Sequence, residues 1–198
     1  MKSKVVIGVL ALAAVVVLWG VSSYNKLVSL DEGVKGAWSQ VENVYQRRAD
    51  LIPNLVRTVE GASDYERETL TAVVQARAKA TSPQVQITPE SLNDPQAFAR
   101  FQQAQDALGG ALSRLLVSVE RYPDLKANQN YLQLQDELAG TENRIAQERR
   151  RFNEVAQTYN ATRRRFPTAL VAGLGGFREK AYFQATPGAD RPPEVKFN

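Results

Sequence analysis

Tyr24–Gly61 reads YNKLVSLDEGVKGAWSQVENVYQRRADLIPNLVRTVEG, the longest unbroken helical pattern in the chain. Leu27, Leu30, Val34, Ala37, Val41, Val44, Leu51 and Leu55 recur in alternating steps of three and four, and Arg48 holds the one register position that lacks an apolar residue. Such a stripe is the seam of a helix packed lengthwise on another helix. It sets architecture and carries no chemistry of its own. A guanidinium on that seam needs a partner, because an unpaired buried charge is strongly destabilising; Glu137 and Glu142 are the candidates. Pro53 cannot donate to the Ala49 carbonyl and its ring crowds that group, so a kink or a helix break is expected there. The surrounding RRADLIPN is read first as a bend that follows the bundle. Its sharper reading is a contact surface made of Arg47, Arg48, Asp50, Pro53 and Asn54.

Upstream, Val5–Ser23 carries no charge over nineteen positions. At ~1.5 Å per residue it spans roughly 28 Å, close to one hydrocarbon core. Ala11 and Ala13 could mimic a signal-peptide cleavage site, but the apolar run continues to Val21, and Trp19 and Tyr24 sit where an interfacial aromatic belt would. A permanent anchor contacting the bilayer through residues 5–23 is therefore preferred. Lys2 and Lys4 crowd its front flank, which slightly favours an extracytoplasmic domain. No Pro- or Gly-rich linker separates this stretch from the long seam, so the two read as one rod.

Downstream, Gly61 closes the first pattern, and Ser63 or Asp64 can cap a second helix over about Tyr65–Ala80, with Leu70, Val73 and Val74 inward. Residues 81–95 contain three prolines and no stripe, and read as an extended, mobile crossover. Asp94–Pro95 then starts a third helix that runs to Tyr122, with Phe98, Phe101, Leu108, Leu112 and Val119 on one side. A fourth, Leu125–Arg165, is the long counterpart of the first. The expected fold is all-α: an N-terminal transmembrane helix, residues 1–23, then an antiparallel bundle of three to four long helices over 24–186, then a disordered tail over 187–198. The ten residues of TALVAGLGGF are too short to cross a bilayer, and could cap the bundle, meet a neighbouring subunit or face the membrane.

The segments YNKLV, LDEGVKGAW and WSQVENVYQRRADLIPNLVRTVEG, with TLTAVVQARAKA up to Ala80 and RRRFPTALVAGLGGFREKAYF over Arg163–Phe183, resemble the LemA family of bacterial membrane proteins. The likeness covers nearly everything after Ser23. It implies a membrane-anchored, mostly helical domain with no established catalytic activity, and leans toward an external N-terminus, opposite to the charge argument.

Composition narrows the chemistry further. There is no His and no Cys, which removes disulfides, thiolate nucleophiles, His- or Cys-ligated metal sites and Ser-His-Asp triads. No cofactor and no small-molecule substrate are expected. A net charge of +4, part of it from Lys2 and Lys4, leaves a nearly neutral body that is unsuited to nucleic acid. Three functions stand against one another. The first is a non-enzymatic scaffold or adaptor at the inner membrane, working through homo-oligomers or other membrane proteins, with Arg149, Arg150, Arg151, Arg163, Arg164, Arg165, Phe166 and Pro167 as its surface. The second is membrane shaping by a basic helical face on anionic lipid. The third is carboxylate chemistry from Glu66, Asp136 and Glu137, disfavoured because carboxylates on helices are usually solvated.

Overall fold

The computed structural model describes residues 2–61 and 67–184, and no strand occurs among them. Helix α1 is Lys2–Glu60, 59 residues without interruption, and its first buried positions are Ser23 and Leu27. Before that point the helix is long and apolar enough to cross a membrane, and none of the other described residues covers it. Beyond it the seam turns inward: Leu27, Val34, Ala37, Trp38, Val41 and Tyr45 are buried, followed by Arg48, Ile52 and Leu55. The expected rod is therefore present.

Helix α2 (Arg67–Ala80) pairs with α3 (Pro95–Val119), and α1 pairs with α5 (Gln129–Arg164). The α1–α5 pair is antiparallel, since Gly33 meets Val155 while Arg48 meets Glu142. Gly33 is thus where the helices approach, whereas Gly36 faces open space. Two cores fill the bundle. One, far from the N-terminal segment, is aliphatic and includes Leu55, Val59, Val73, Leu108 and Leu115. The other is aromatic and centres on Trp38, whose ring lies 5.3–6.1 Å from those of Phe98, Phe101, Phe152 and Phe183. Edge-to-face and tilted pairs of this kind add to the burial of their large apolar surfaces.

Several boundaries differ from expectation. Helix α3 ends at Val119, and the single fourth helix is a short turn α4 (Pro123–Lys126) followed by α5. The Asn128 side chain accepts from the Asn130 and Tyr131 amides and so restarts the helix. Val74 is exposed while Leu70 and Val73 are buried. The crossover over 81–95 is anchored by the buried side chains of Ile87 and Leu92 and by a 3-10 turn, Pro89–Asn93. Helix α1 continues through Pro53 without a break, because the carbonyl that proline leaves without an amide partner, that of Ala49, accepts instead from Arg77 Nε of α2 at 2.7 Å. The proposed Ser63 or Asp64 cap, Tyr65, Glu66 and the tail over 187–198 lie outside the described residues.

Candidate functional site

Arg48 is 3% exposed and tied on two sides. Its Nη1 donates to Glu142 Oε1 at 2.7 Å, and its Nη2 donates to Gln105 Oε1 at 2.6 Å and to the Gln105 carbonyl at 3.1 Å. Glu142 is thus the seam partner that the sequence offered, while Glu137 lies 3.9 Å from Arg47 instead. Gln105 had no signal in the sequence. It joins three helices, since its Nε2 also donates to the Ala80 carbonyl at the end of α2. Burial raises the phenol pKa of neighbouring Tyr45, against the opposing charges of Arg149 and Arg48. Asp50 accepts from Gln46 and Asn54 accepts from Arg57, both on the exposed side of α1. The RRADLIPN stretch therefore divides into an inward tie at Arg48 and an outward surface at Arg47, Asp50 and Asn54.

The two arginine triplets divide in the same way, because three consecutive helical residues sweep about 200° of the circumference. Arg149 turns inward: its Nη2 donates to the Gln184 carbonyl at 3.2 Å, it lies 3.7 Å from Asp106, and its guanidinium sits 4.6 Å from the Phe183 ring centroid. Arg163 donates from Nε to the Phe177 carbonyl at 2.8 Å. Arg150, Arg151, Arg164 and Arg165 remain exposed, with Arg151 at 4.0 Å from Glu148. A continuous six-arginine face is not what α5 presents.

What Arg149 and Arg163 hold is an extended strap, residues 177–184, lying along α5 and α3. Three side-chain amides clasp its backbone as a neighbouring strand would. Asn160 accepts from the Lys180 amide and donates to the Lys180 carbonyl, both at 2.9 Å, and also donates to the Tyr182 hydroxyl at 2.8 Å. Asn153 makes the same reciprocal pair with Phe183, and Gln102 of α3 does so with Gln184. The Tyr159 hydroxyl donates to the Arg178 carbonyl at 2.9 Å. Lys180 is buried and its Nζ pairs with Asp31 Oδ1 of α1 at 2.7 Å. Burial raises the Asp31 carboxyl, but hydrogen bonds from Lys180 and Lys35 outweigh it and hold the group below its ordinary value. Tyr159, pushed up to about 12 by burial and then by the Asp31 charge, stays neutral at physiological pH. Asn160 also belongs to an Asn-Ala-Thr acceptor pattern, but its complete burial commits the amide to the strap.

Between α5 and the strap lies α6 (Thr168–Leu174), which packs on both α1 and α5. Ala172 is buried, whereas Phe166, Leu170 and Leu174 are 83%, 60% and 93% exposed. Pro167, at the start of this element, follows a cis peptide and is also exposed. The Tyr24 ring of α1 lies 5.4 Å from that of Phe177, edge-on. Capping the bundle is therefore one part of what the TALVAGLGGF segment does, and the other described residues leave its outer face uncovered.

No three His, Cys, Asp or Glu side chains among the described residues converge where a metal could sit. Asp136 is exposed and Glu137 is engaged by Arg47. Among the described residues the geometry brings together helices and a strap, and Glu66, the third candidate carboxylate, lies outside them. The model of the LemA family matches residues 37–197, from the aromatic core on α1 to beyond the strap. The chain belongs to the LemA family. Within this LemA-family chain, 183 aligned residues are 28% identical to magnetosome protein MamQ of Magnetospirillum gryphiswaldense, covering 85% of this chain and 67% of that protein. A similar match, also 28% identical, is to magnetosome protein MamQ 2 of Paramagnetospirillum magneticum. Protein LemA of Metamycoplasma hominis is 28% identical over 162 residues, 82% of this chain and 69% of the relative.

Proposed function

We propose that this LemA-family chain is a membrane-anchored, non-enzymatic helical scaffold of a bacterial inner membrane, working by self-association or by binding other membrane proteins. The observation that carries this reading is the continuity of α1. One helix has an uncovered apolar half and a buried half that is the spine of the bundle. Force or position applied to the bundle is thereby coupled to the anchor without a flexible joint. The acids and basic side chains that meet inside the bundle, such as Arg48 with Glu142 and Lys180 with Asp31, tie helices and strap together. Arg150 and Arg151, exposed on α5 away from the strap, are the partner-facing residues of this reading. The amino-terminal Lys2 and Lys4 favour an extracytoplasmic bundle.

The full chain in lipid nanodiscs, examined by native mass spectrometry and by co-purification of membrane proteins, tests the proposal. Assemblies above the monomer, or a reproducible membrane-protein partner, are expected, and Arg150→Glu with Arg151→Glu weakens them. A monomer at every concentration with no partner sensitive to these two arginines overturns it. Labelling of an introduced cysteine at Arg150 by a membrane-impermeant maleimide in intact spheroplasts reports the side, and labelling is expected.

A further inference from the structure

We infer that α6 with its preceding Phe166 is a second, shallow membrane contact: an interfacial wedge that enters the headgroup–acyl boundary of the same bilayer that holds α1. The inference rests on the anchor reading above, and extends it from one lipid contact to two. Three independent features point to lipid as the occupant of the uncovered face. The first is chemistry. Leu170 and Leu174 are four residues apart within α6 and so share one side, exposed Phe166 stands just before the helix, and buried Ala172 with half-buried Val171 turn the other side onto the bundle. An element apolar on both sides belongs in a protein interior or in lipid.

The second feature is position. Gly33 meets Val155 across the antiparallel α1–α5 pair, so nine residues further along α5 brings Arg164 level with Tyr24. The edge-on contact of Tyr24 with Phe177 fixes the same level from the other side of α6. Tyr24 directly follows the uncharged Val5–Ser23 stretch, which is where a lipid–water boundary falls if that stretch spans. The third is charge. Arg164 and Arg165 immediately precede Phe166, Arg178 follows Phe177, Lys26 comes two residues after Tyr24, and all four are exposed; basic side chains beside an apolar face can reach anionic headgroups while that face sinks about 5–10 Å. Glu179, the acid beside them, lies 3.8 Å from Arg163. A protein partner would need to reach these residues at the surface of the bilayer itself, where lipid is already present.

The chain has no cysteine, so single labels can be placed without background. Full-length Leu170→Cys, Leu174→Cys, Leu12→Cys and Val117→Cys, each bearing an environment-sensitive fluorophore, are reconstituted at about one chain per vesicle in phosphatidylcholine with phosphatidylglycerol. Quenching is then compared for nitroxide near the glycerol end of the acyl chain, nitroxide at the bilayer centre, and aqueous iodide. Leu12 reports the anchor and is expected to respond to the central nitroxide. Val117, exposed on α3 at the far end, is expected to respond to iodide. Labels at 170 and 174 are expected to respond to the shallow nitroxide, with iodide quenching on the order of fivefold weaker than at 117. A label at 12 that responds to iodide overturns the anchor reading and this one with it. A label at 12 that responds to the central nitroxide, with 170 and 174 behaving like 117, overturns the wedge alone. Shielding of 170 and 174 from both quenchers indicates a protein neighbour and also overturns the wedge. All the labelled positions are exposed, so folding does not depend on them.

Discussion

Replacing Asn160 by Leu removes the central clasp of the strap at nearly constant volume. Three hydrogen bonds are lost: from the Lys180 amide and to its carbonyl, each at 2.9 Å, and to the Tyr182 hydroxyl at 2.8 Å. At a net value of about 1 kcal/mol each the loss is about 3 kcal/mol. Two strap backbone groups at a fully buried site are left unpaired, which moves the cost upward, and local peeling of the strap limits it. For a chain of this size, about 2–4 °C per kcal/mol translates the loss into a Tm lower by roughly 6–12 °C. Hydrogen exchange of the full chain in nanodiscs locates the damage. Protection of amides over 177–184 falls, including that of Ala181, which donates to the Leu92 carbonyl at 3.0 Å, while protection across the α1–α5 seam near Val41 and Ile145 changes much less. The exposed Thr158→Ala, whose hydroxyl only returns to the Glu154 carbonyl, costs less than about 0.5 kcal/mol and serves as a control. A Tm within about 1 °C of wild type, together with unchanged exchange in the strap, refutes the reasoning.

The buried tie at Arg48 is asymmetric. Glu142→Ala leaves the buried Arg48 guanidinium without its counter-charge and costs about 3 kcal/mol by urea unfolding, whereas Arg48→Met removes that charge, leaves a half-exposed Glu142 to water and one unpaired Gln105 oxygen, and costs about 1–2 kcal/mol; equal costs contradict this division. Pro53→Ala restores an amide opposite the Ala49 carbonyl, so it stabilises by less than the roughly 3 kcal/mol typical of an interior proline, and Arg77→Ala becomes milder in that background than in wild type, as a double-mutant cycle shows. Asp31 has a folded pKa below its ordinary value, so its contribution is fully present above that value and is lost as pH falls through the lowered one. Thermal melts taken on the acid side show a steeper loss of Tm for wild type than for Asp31→Asn, and identical acid limbs exclude the Asp31–Lys180 pair as the cause.

Much of the scaffold was legible because periodicity is local. The step of three and four from Leu27 to Leu55 reports which side of a helix is buried whatever it is buried against, and the charge-free Val5–Ser23 stretch reports its solvent in the same way. The demand of Arg48 for a carboxylate could likewise be posed in advance, and Glu142 answers it. Where local rules compete, the reading slipped by a few residues: Asn128 could sit inside a helix or cap one, and only the tertiary path of α4 decides that it caps.

The strap is a different matter. Asn153, Asn160 and Gln102 look in sequence like ordinary polar helix positions, and FREKAYFQ has no period at all. Their roles depend on reciprocal hydrogen bonds between residues 20 to 82 positions apart, and no window of sequence holds both partners. The arginine triplets show the same limit, since composition counts six equivalent charges and the packing of α5 assigns two of them inward. The sequence alone determined that this is a helical rod with an apolar end and a buried seam, because amphipathic spacing and uncharged length act through nearest neighbours. Tertiary structure alone decided which polar groups become internal ties and which apolar residues stay uncovered beside Tyr24, because those outcomes depend on how distant segments meet and which of their hydrogen-bonding groups are thereby removed from water.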